Sequence, residues 1–291
     1  MHDVYFFTDT HGSLNLFHTI MNYCKSQDPE SIIIFGGDAA DRGEDGYQII
    51  KELLDNPYVI YLYGNHEDLF VQAADAIIGN YAKDDESYAY LHSCNKEQAH
   101  DIIKKMSSNE YVQLHLANGG ESTLISWLLD NANEEIIDII RNLPRTLSYG
   151  FMDFCHAGGV YNTFKRVADA EYENQLIPYI DEETTIWDRN MLPIGWESNR
   201  VCIFGHTPTI LLPNGIYGRD KSEKNIHPCA WQDRMGAKDK RSGWKIDMDT
   251  GMVWTGRAFV LNCLTMKVYG FEVNDNPYSI NSLEPYKILE E

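Results

Sequence analysis

The sequence has no closely spaced cysteines, because no two of its six cysteines form a CxxC pair. This spacing argues against a thiolate zinc site and against a disulfide framework. We therefore expect reduced cysteines that are mostly buried as small apolar residues. They are Cys24, Cys94, Cys155, Cys202, Cys229 and Cys263.

Long apolar runs are also missing. No stretch approaches the ~18 apolar residues that a membrane span needs. The first residues, Met1-His2-Asp3-Val4, lack the basic-then-apolar layout of a signal peptide. The sequence therefore predicts a cytoplasmic protein without a membrane partner.

Positive charge is scarce, since 24 Lys and Arg stand against 44 Asp and Glu and give a formal net charge of -20. Such a chain repels polyanions at long range, which disfavours extended nucleic-acid binding. Metal ions and arginines can still reverse the sign of the potential within one site. An acidic enzyme that acts on phosphates is therefore compatible with this composition.

Short apolar runs alternate with helical stretches in the first part of the chain, which predicts an α/β fold with parallel strands covered on both faces. Each early strand ends in a loop of Asp, His, Asn and Gly, where α/β enzymes usually carry their chemistry. Early strands are predicted at 4–8, 31–35 and 58–63, with helices near 14–24 and 47–54. Later strands are predicted at 150–155, 200–204, 257–263 and 267–273.

We interpret residues 1–291 as one domain with two long segments that border its cleft and select the substrate. Residues 68–143 are mostly helical in pattern and predict an inserted helical cap. Residues 211–244 mix Gly, Pro, Lys, Asp and Arg without periodicity and predict a long loop excursion. Its aromatic and basic residues could contact a nucleotide or phosphopeptide, although a solvated loop is the preferred interpretation. They are Tyr217, Arg219, Lys221, Lys224, Trp231 and Arg234.

Five loops that follow predicted strands carry side chains suited to binding a cation. Taken singly, each loop also fits a helix cap, an Asx turn or a structural histidine. Five such loops in one chain favour a shared site. The loops are Asp9-Thr10-His11-Gly12, Gly36-Gly37-Asp38-Ala39-Ala40-Asp41-Arg42-Gly43, Gly64-Asn65-His66-Glu67, Cys155-His156-Ala157-Gly158-Gly159 and Phe204-Gly205-His206-Thr207-Pro208.

The motif order DxHG, GDxxDRG, GNHE, HAG and GHT resembles the phosphoprotein phosphatase branch of the calcineurin-like metallophosphoesterases. Residues 118–124 and 246–257 resemble the NGG-E-TL and IDTG…GGR stretches of bacterial members. The resemblance implies a sandwich of two mixed β-sheets flanked by helices. Thr8 departs from the family, which usually has Gly there. Pro208 follows the GHT motif, so the GHxH pair of the nuclease branch is absent.

The resemblance also implies two divalent metal ions. The first would be bound by Asp9, His11 and Asp38, and Asp38 would bridge to the second. The second would be completed by Asn65, His156 and His206. Nitrogen and oxygen ligands without thiolate fit manganese, iron or zinc, and Mn²⁺ is the metal we expect to support activity in vitro.

The same resemblance assigns His66 as the proton donor to the leaving group and Asp41 as the residue that holds its ring. Arg42 would clamp the phosphate, because its planar fork matches two phosphoryl oxygens, and Asn65 would contact the phosphate as well. Arg189 is a second phosphate-binding candidate. The alternative for Arg189 is stacking on Trp187 or pairing with Asp188.

The implied reaction is hydrolysis of phosphate monoesters by a hydroxide that bridges two metals. The favoured substrate is a phosphoprotein, which would make the chain a serine/threonine-type protein phosphatase. The enzymatic alternative is a dinucleoside polyphosphate hydrolase acting on diadenosine tetraphosphate. A non-catalytic phosphate-binding scaffold is the alternative of another class. A DNA nuclease and an extra metal site at His227 and Cys229 are both disfavoured.

Overall fold

The structure, a computed structural model, describes residues 2–158, 177–179, 184–189, 200–212, 227–232, 243–274 and 279–289. Its strands are β1 (Val4–Phe7), β2 (Ile32–Phe35), β3 (Val59–Tyr61), β4 (Thr146–Tyr149), β5 (Met152–Cys155), β6 (Ile177–Tyr179), β7 (Val201–Phe204), β8 (Cys229–Gln232), β9 (Trp244–Asp247), β10 (Arg257–Asn262), β11 (Lys267–Val273), β12 (Ile280–Ser282) and β13 (Tyr286–Lys287).

The helices of the described residues lie mostly between β3 and β4. They are α1 (Leu14–Gln27), α2 (Gly46–Asp55), α3 (Asn65–Tyr81), α4 (Asp85–Leu91), α5 (Lys96–Met106), α6 (Glu110–Ala117), α7 (Glu121–Leu129), α8 (Glu134–Arg141), α9 (Thr184–Trp187) and α10 (Met252–Thr255). None of these helices has the length and apolar character to cross a membrane.

Two mixed sheets form from the described strands. The first has the order β12-β11-β10-β1-β2-β3, with β13 beside β11, and the second has the order β6-β4-β5-β7-β9-β8. Strands β1, β2 and β3 are parallel, as are β5, β7 and β9, while their outer neighbours run antiparallel. The predicted fold class, two mixed sheets with flanking helices, is confirmed.

The alternation of side chains along a strand explains how the first sheet is buried on both faces. Val4 and Phe6 of β1 belong to the apolar core between the two sheets, where the Phe6 ring lies 5.5 Å from that of Phe154. Tyr5 and Phe7 belong to the core beneath the helices. Because parallel strands are covered on both faces, side chains that bind a ligand lie in the loops at the carboxyl ends of the strands.

Helices α3 to α8 pack around Trp127, which is fully buried. Asn and Asp side chains begin four of these helices by accepting backbone N–H groups of the first turn. They are Asp84, Asn95, Asn109 and Asn133. Residues 65–141 are therefore mostly helical. The first of these helices begins at Asn65, where Glu67 accepts the N–H of Gly64 at 2.9 Å.

The segment from 211 to 244 contains regular structure that the sequence pattern did not predict. Strand β8 lies inside it and pairs antiparallel with β9. Trp231 of β8 is buried, with its ring 5.7 Å from Phe204, so its ring is not available as a substrate contact. The other candidate contacts lie outside the described residues. They are Tyr217, Arg219, Lys221, Lys224 and Arg234.

Candidate metal centre

The loops that follow β1, β2, β3, β5 and β7 meet at one end of the two sheets. Backbone hydrogen bonds join them: the N–H of Asp9 donates to Gly37 O at 3.0 Å, and the N–H of Gly205 donates to His156 O at 2.8 Å. The six predicted metal-binding side chains are all buried here. Residues far apart in sequence thus share one cleft.

Left-handed backbone is concentrated in these loops. Asp9, His11, Asp38 and His206 have φ values of 54°, 42°, 59° and 71°. For a residue with a Cβ this conformation costs roughly 1–2 kcal/mol. Strain of this kind clusters at functional sites, where the surrounding structure holds side chains in unusual directions.

A first cluster forms around one oxygen of Asp38. His11 Nε2 lies 3.6 Å from Asp38 Oδ2 and 3.9 Å from Asp9 Oδ1. His66 Nε2 is also 3.9 Å from Asp38 Oδ2. Ligands about 2.1 Å from a common ion stand roughly 3–4 Å apart, and His11, Asp38 and His66 form a group that could hold one.

A second cluster forms around the other oxygen of Asp38. His156 Nε2 lies 3.3 Å from Asp38 Oδ1, and the Asn65 Oδ1 atom is 3.0 Å from His156 Nε2 and 2.8 Å from His206 Nδ1. Asp38, His156 and His206 form a second group that could hold an ion. Asp38 is therefore shared by both clusters.

Backbone carbonyls orient two of the histidines. His11 Nδ1–H donates to Ala40 O at 2.9 Å, and His156 Nδ1–H donates to Gly36 O at 2.8 Å. Each ring therefore turns Nε2 toward the carboxylates. Metal-binding histidines are commonly fixed in this manner by a hydrogen bond from the other ring nitrogen. The donor set fits divalent cations.

Burial and charge give these histidines different pKa values. Burial, with the neighbouring His66, lowers the pKa of His11 to about 3, so its Nε2 atom stays unprotonated. Burial alone would lower the pKa of His156, but the Asp38 and Asp9 carboxylates outweigh it and raise the pKa to about 10. The raised pKa means that the two carboxylates stabilise a positive charge at His156 Nε2. A bound cation can supply that charge in place of a proton.

His66, Asp41 and Arg42 form a connected group beside the first cluster. His66 Nδ1–H donates to Asp41 Oδ2 at 2.7 Å. The two terminal nitrogens of Arg42 reach His11 Nε2 at 2.6 Å and His66 Nε2 at 2.9 Å. The Arg42 guanidinium also lies 4.8 Å from the Trp254 ring, which is 58% exposed. Arg42 therefore spans the rim of the first cluster.

Arg189 lies at the rim of the second cluster. Its Nε donates to His206 Nε2 at 3.1 Å, and the ring of the preceding Trp187 is 6.3 Å from that of His206. The Arg189 side chain therefore lies beside His206, a predicted ligand of the second cluster. Each cluster thus has one arginine beside it.

Thr8 and Glu67, to which the sequence motifs assign no role, hold the Asp9 side chain and the Asp38 backbone in place. Thr8, which replaces the usual Gly, donates from Oγ1 to Asp9 Oδ2 at 2.6 Å. Glu67 of the GNHE motif accepts the N–H groups of Asp38 and Ala39 at 2.8 and 2.9 Å. The position of Glu67 next to His66 could have pointed to a role in the site. The sequence gives no sign of its contacts with the Asp38 loop.

Residues 118–124 contact the loop that carries Asp41 and Arg42. The N–H of Arg42 donates to Gly119 O at 2.9 Å, and Ser122 Oγ donates to Gly43 O at 2.7 Å. Thr123 Oγ1 accepts the N–H of Asp41 at 3.0 Å. The stretch recognised as NGG-E-TL is therefore a support for this loop.

Among proteins of known identity, serine/threonine-protein phosphatase 2 of Salmonella typhimurium is 28% identical to this chain over 120 residues. The match covers 37% of this chain and 55% of that protein, so it spans about half of the curated relative.

Two solved structures have lower similarity. A metallophosphoesterase from Sphaerobacter thermophilus is 14% identical with a TM-score of 0.46, over 97% of this chain and 88% of that one. A candidate diadenosine tetraphosphatase is 12% identical with a TM-score of 0.43, over 98% of this chain and 93% of that one. Similarity at this level carries no information about substrate.

The sequence profile of the calcineurin-like phosphoesterases matches residues 2–209. That span is more than half of the chain, and it runs from the loop of Asp9 to the loop of His206. Because the matched region includes strands β1 to β7 and every loop that builds the two clusters, the chain belongs to the calcineurin-like phosphoesterase family.

Proposed function

We propose that this chain hydrolyses phosphate monoesters with two divalent cations, and that its substrates are phosphoserine or phosphothreonine residues of proteins. The observation that carries the proposal is the sharing of Asp38 by two buried clusters. We assign the first cation to Asp9, His11 and Asp38. We assign the second to Asp38, Asn65, His156 and His206.

When bound, the cations would supply Lewis acidity, which would neutralise phosphoryl charge and make a water molecule more acidic. Arg42 and Arg189 would also bind the phosphate. Arg42 and Arg189 now donate to ring nitrogens of His11, His66 and His206. On substrate binding they would donate to phosphoryl oxygens, for which the guanidinium fork is well suited.

His66 acts as the general acid in this proposal. Its Nδ1–H stays bonded to Asp41, and its Nε2–H passes to the oxygen of the leaving serine or threonine as the P–O bond breaks. Burial alone would lower the pKa of His66, but the Asp38 and Asp41 carboxylates raise it. This shift favours the protonated ring that a proton donor requires, and Nε2 can carry the proton once Arg42 has turned from His66 to the phosphate.

The choice of a protein substrate rests on the Salmonella relative named as a serine/threonine-protein phosphatase. Hydrolysis of diadenosine tetraphosphate is the main enzymatic competitor, because the same centre could cleave a phosphoanhydride. The absence of any turnover would favour a phosphate-binding scaffold.

A substrate panel tests the proposal. The purified chain, with Mn²⁺, is assayed on phosphoserine and phosphothreonine peptides, a phosphotyrosine peptide, p-nitrophenyl phosphate and diadenosine tetraphosphate. Asp38→Asn is the matched control for contaminating activity. We expect the highest kcat/KM on the phosphoserine or phosphothreonine peptides. Much faster cleavage of diadenosine tetraphosphate would overturn the substrate assignment, and no turnover with manganese, iron or zinc would overturn the enzyme.

A further inference from the structure

We infer that His115 of α6 is a positioning residue for the proton donor His66, acting through Asp41. This inference rests on the proposed function. It connects helices α3 to α8 to proton donation, because α6 supplies the side chain that holds the Asp41 carboxylate. His115 lies 74 residues from Asp41 in the sequence, and no motif pointed to it.

The Asp41 carboxylate lies between two imidazole rings and uses one oxygen for each. Its Oδ2 accepts His66 Nδ1–H at 2.7 Å, and its Oδ1 lies 2.8 Å from His115 Nε2. Thr123 Oγ1 donates to the same Oδ1 at 2.7 Å. Both Asp41 and His115 are fully buried, so water cannot replace these donors.

The proton between Asp41 and His115 belongs on the histidine. A carboxylate can only accept, and among the described residues His115 Nδ1 has no hydrogen-bond partner. A ring that carries a proton on Nε2 therefore satisfies the contact. Burial alone would raise the pKa of Asp41, but His115 and His66 hold it well below its usual range.

Close packing fixes the His115 ring against Asp41. A Cβ at Gly120 would lie 2.2 Å from His115 Nε2, so the ring occupies space that exists because residue 120 is glycine. The Phe70 ring lies 5.9 Å away on the inner side of α3. The ring has little freedom to turn, which is what a positioning residue requires.

Loss of the His115 donor would leave the buried Asp41 Oδ1 atom with one hydrogen-bond donor, Thr123 Oγ1. Asp41 itself has left-handed backbone, with φ of 71°, so its position depends on side-chain contacts. A carboxylate free to rotate would no longer fix the His66 ring. The step that suffers is proton donation to the leaving oxygen.

That step can be separated from general structural damage by the choice of leaving group. A serine alkoxide leaves poorly without a proton, whereas p-nitrophenolate leaves readily without one. A defect in proton donation therefore slows a phosphoserine peptide far more than p-nitrophenyl phosphate. Damage to folding or to the cation clusters slows both substrates alike.

The experiment compares His115→Ala, His115→Gln and Val112→Ala. Gln can place an N–H near the position of His115 Nε2. Val112 is a buried apolar residue on the same helix, and its truncation loosens α6 without removing a polar group. For each variant kcat and KM are measured with Mn²⁺ on a phosphoserine peptide and on p-nitrophenyl phosphate, together with Mn²⁺ affinity and the melting temperature.

We expect His115→Ala to lower kcat on the phosphoserine peptide by about 10–100-fold, with a much smaller loss on p-nitrophenyl phosphate. We expect His115→Gln to recover most of the loss and Val112→Ala to affect both substrates equally. Equal losses on both substrates in the His115 variants, or no loss, would overturn the inference alone. If His115→Ala does not fold, the remaining loss of His115→Gln decides: it should fall on the phosphoserine peptide and not on p-nitrophenyl phosphate, and an equal loss on both, as in Val112→Ala, would overturn the inference. A wild-type chain that hydrolyses neither substrate would overturn the proposed function and the inference with it.

Discussion

Replacing Gly205 with alanine tests how closely the loop after β7 packs on the predicted metal ligand Asp9. A Cβ at this position would lie 2.1 Å from Asp9 Oδ2 and 2.5 Å from Thr8 Cγ2. Ordinary contacts begin near 3.4 Å, so the carboxylate would have to move by about 1.3 Å. Asp9 Oδ2 accepts from Thr8 Oγ1 and from the His206 N–H, and such a movement breaks both bonds.

A displacement of about 1 Å in a catalytic group costs about 10²-fold in rate. We therefore expect Gly205→Ala to lower kcat/KM on p-nitrophenyl phosphate by at least that factor and to weaken Mn²⁺ binding. Overpacking of a buried site costs about 1–3 kcal/mol of folding free energy, which leaves most proteins of this size folded.

Calorimetric titration with Mn²⁺, steady-state kinetics and urea unfolding without metal measure the three effects separately. Gly79→Ala is the matched control, because nothing lies within 4 Å of a Cβ at this exposed position in α3. Alanine there should leave the rate unchanged and add roughly 0.5–1 kcal/mol of stability. A Gly205→Ala variant with wild-type Mn²⁺ affinity and kcat/KM would refute the predicted role of Asp9.

Three further substitutions test other parts of the site and the fold. His66→Ala should lower kcat on phosphopeptides by about 10²–10⁴-fold with the metal content of the protein unchanged; loss of one metal ion, measured by elemental analysis, would make His66 a ligand instead. Arg42→Lys keeps the charge but not the fork, so KM for phosphopeptides should rise, and an unchanged KM would contradict the phosphate clamp. Trp127→Ala should cost about 3–5 kcal/mol in urea unfolding, because the ring is fully buried and its Nε1–H donates to Asn133 O; a loss below about 1 kcal/mol would contradict its place in the core.

The parallel strands and their loops could be predicted because the signals are local. An apolar run followed at once by Asp, His or Asn places the side chain at a strand end, and β1 and β2 were found within one residue at either end. The left-handed backbone of Asp9 and Asp38 is not visible in the sequence, since neither residue is glycine. The tertiary contacts of these loops offset the free-energy cost of that backbone conformation.

Contacts between distant segments could not be predicted from sequence. Strand β8 has three apolar residues before Gln232, too few to distinguish a strand from a loop. Its partner β9 supplies the pairing that stabilises it. The role of His115 could not be predicted either. The helical pattern places His115 on a buried face, but it does not show that a carboxylate packs against that face. Its partner Asp41 comes from another part of the chain.

Anomalous diffraction from crystals grown with Mn²⁺ would show whether Asp38 is shared by two cations. We expect two manganese peaks about 3.5–4 Å apart, one on each side of the Asp38 carboxylate, with His11 beside one peak and His156 beside the other. A single peak, or peaks that do not contact Asp38, would contradict this expectation.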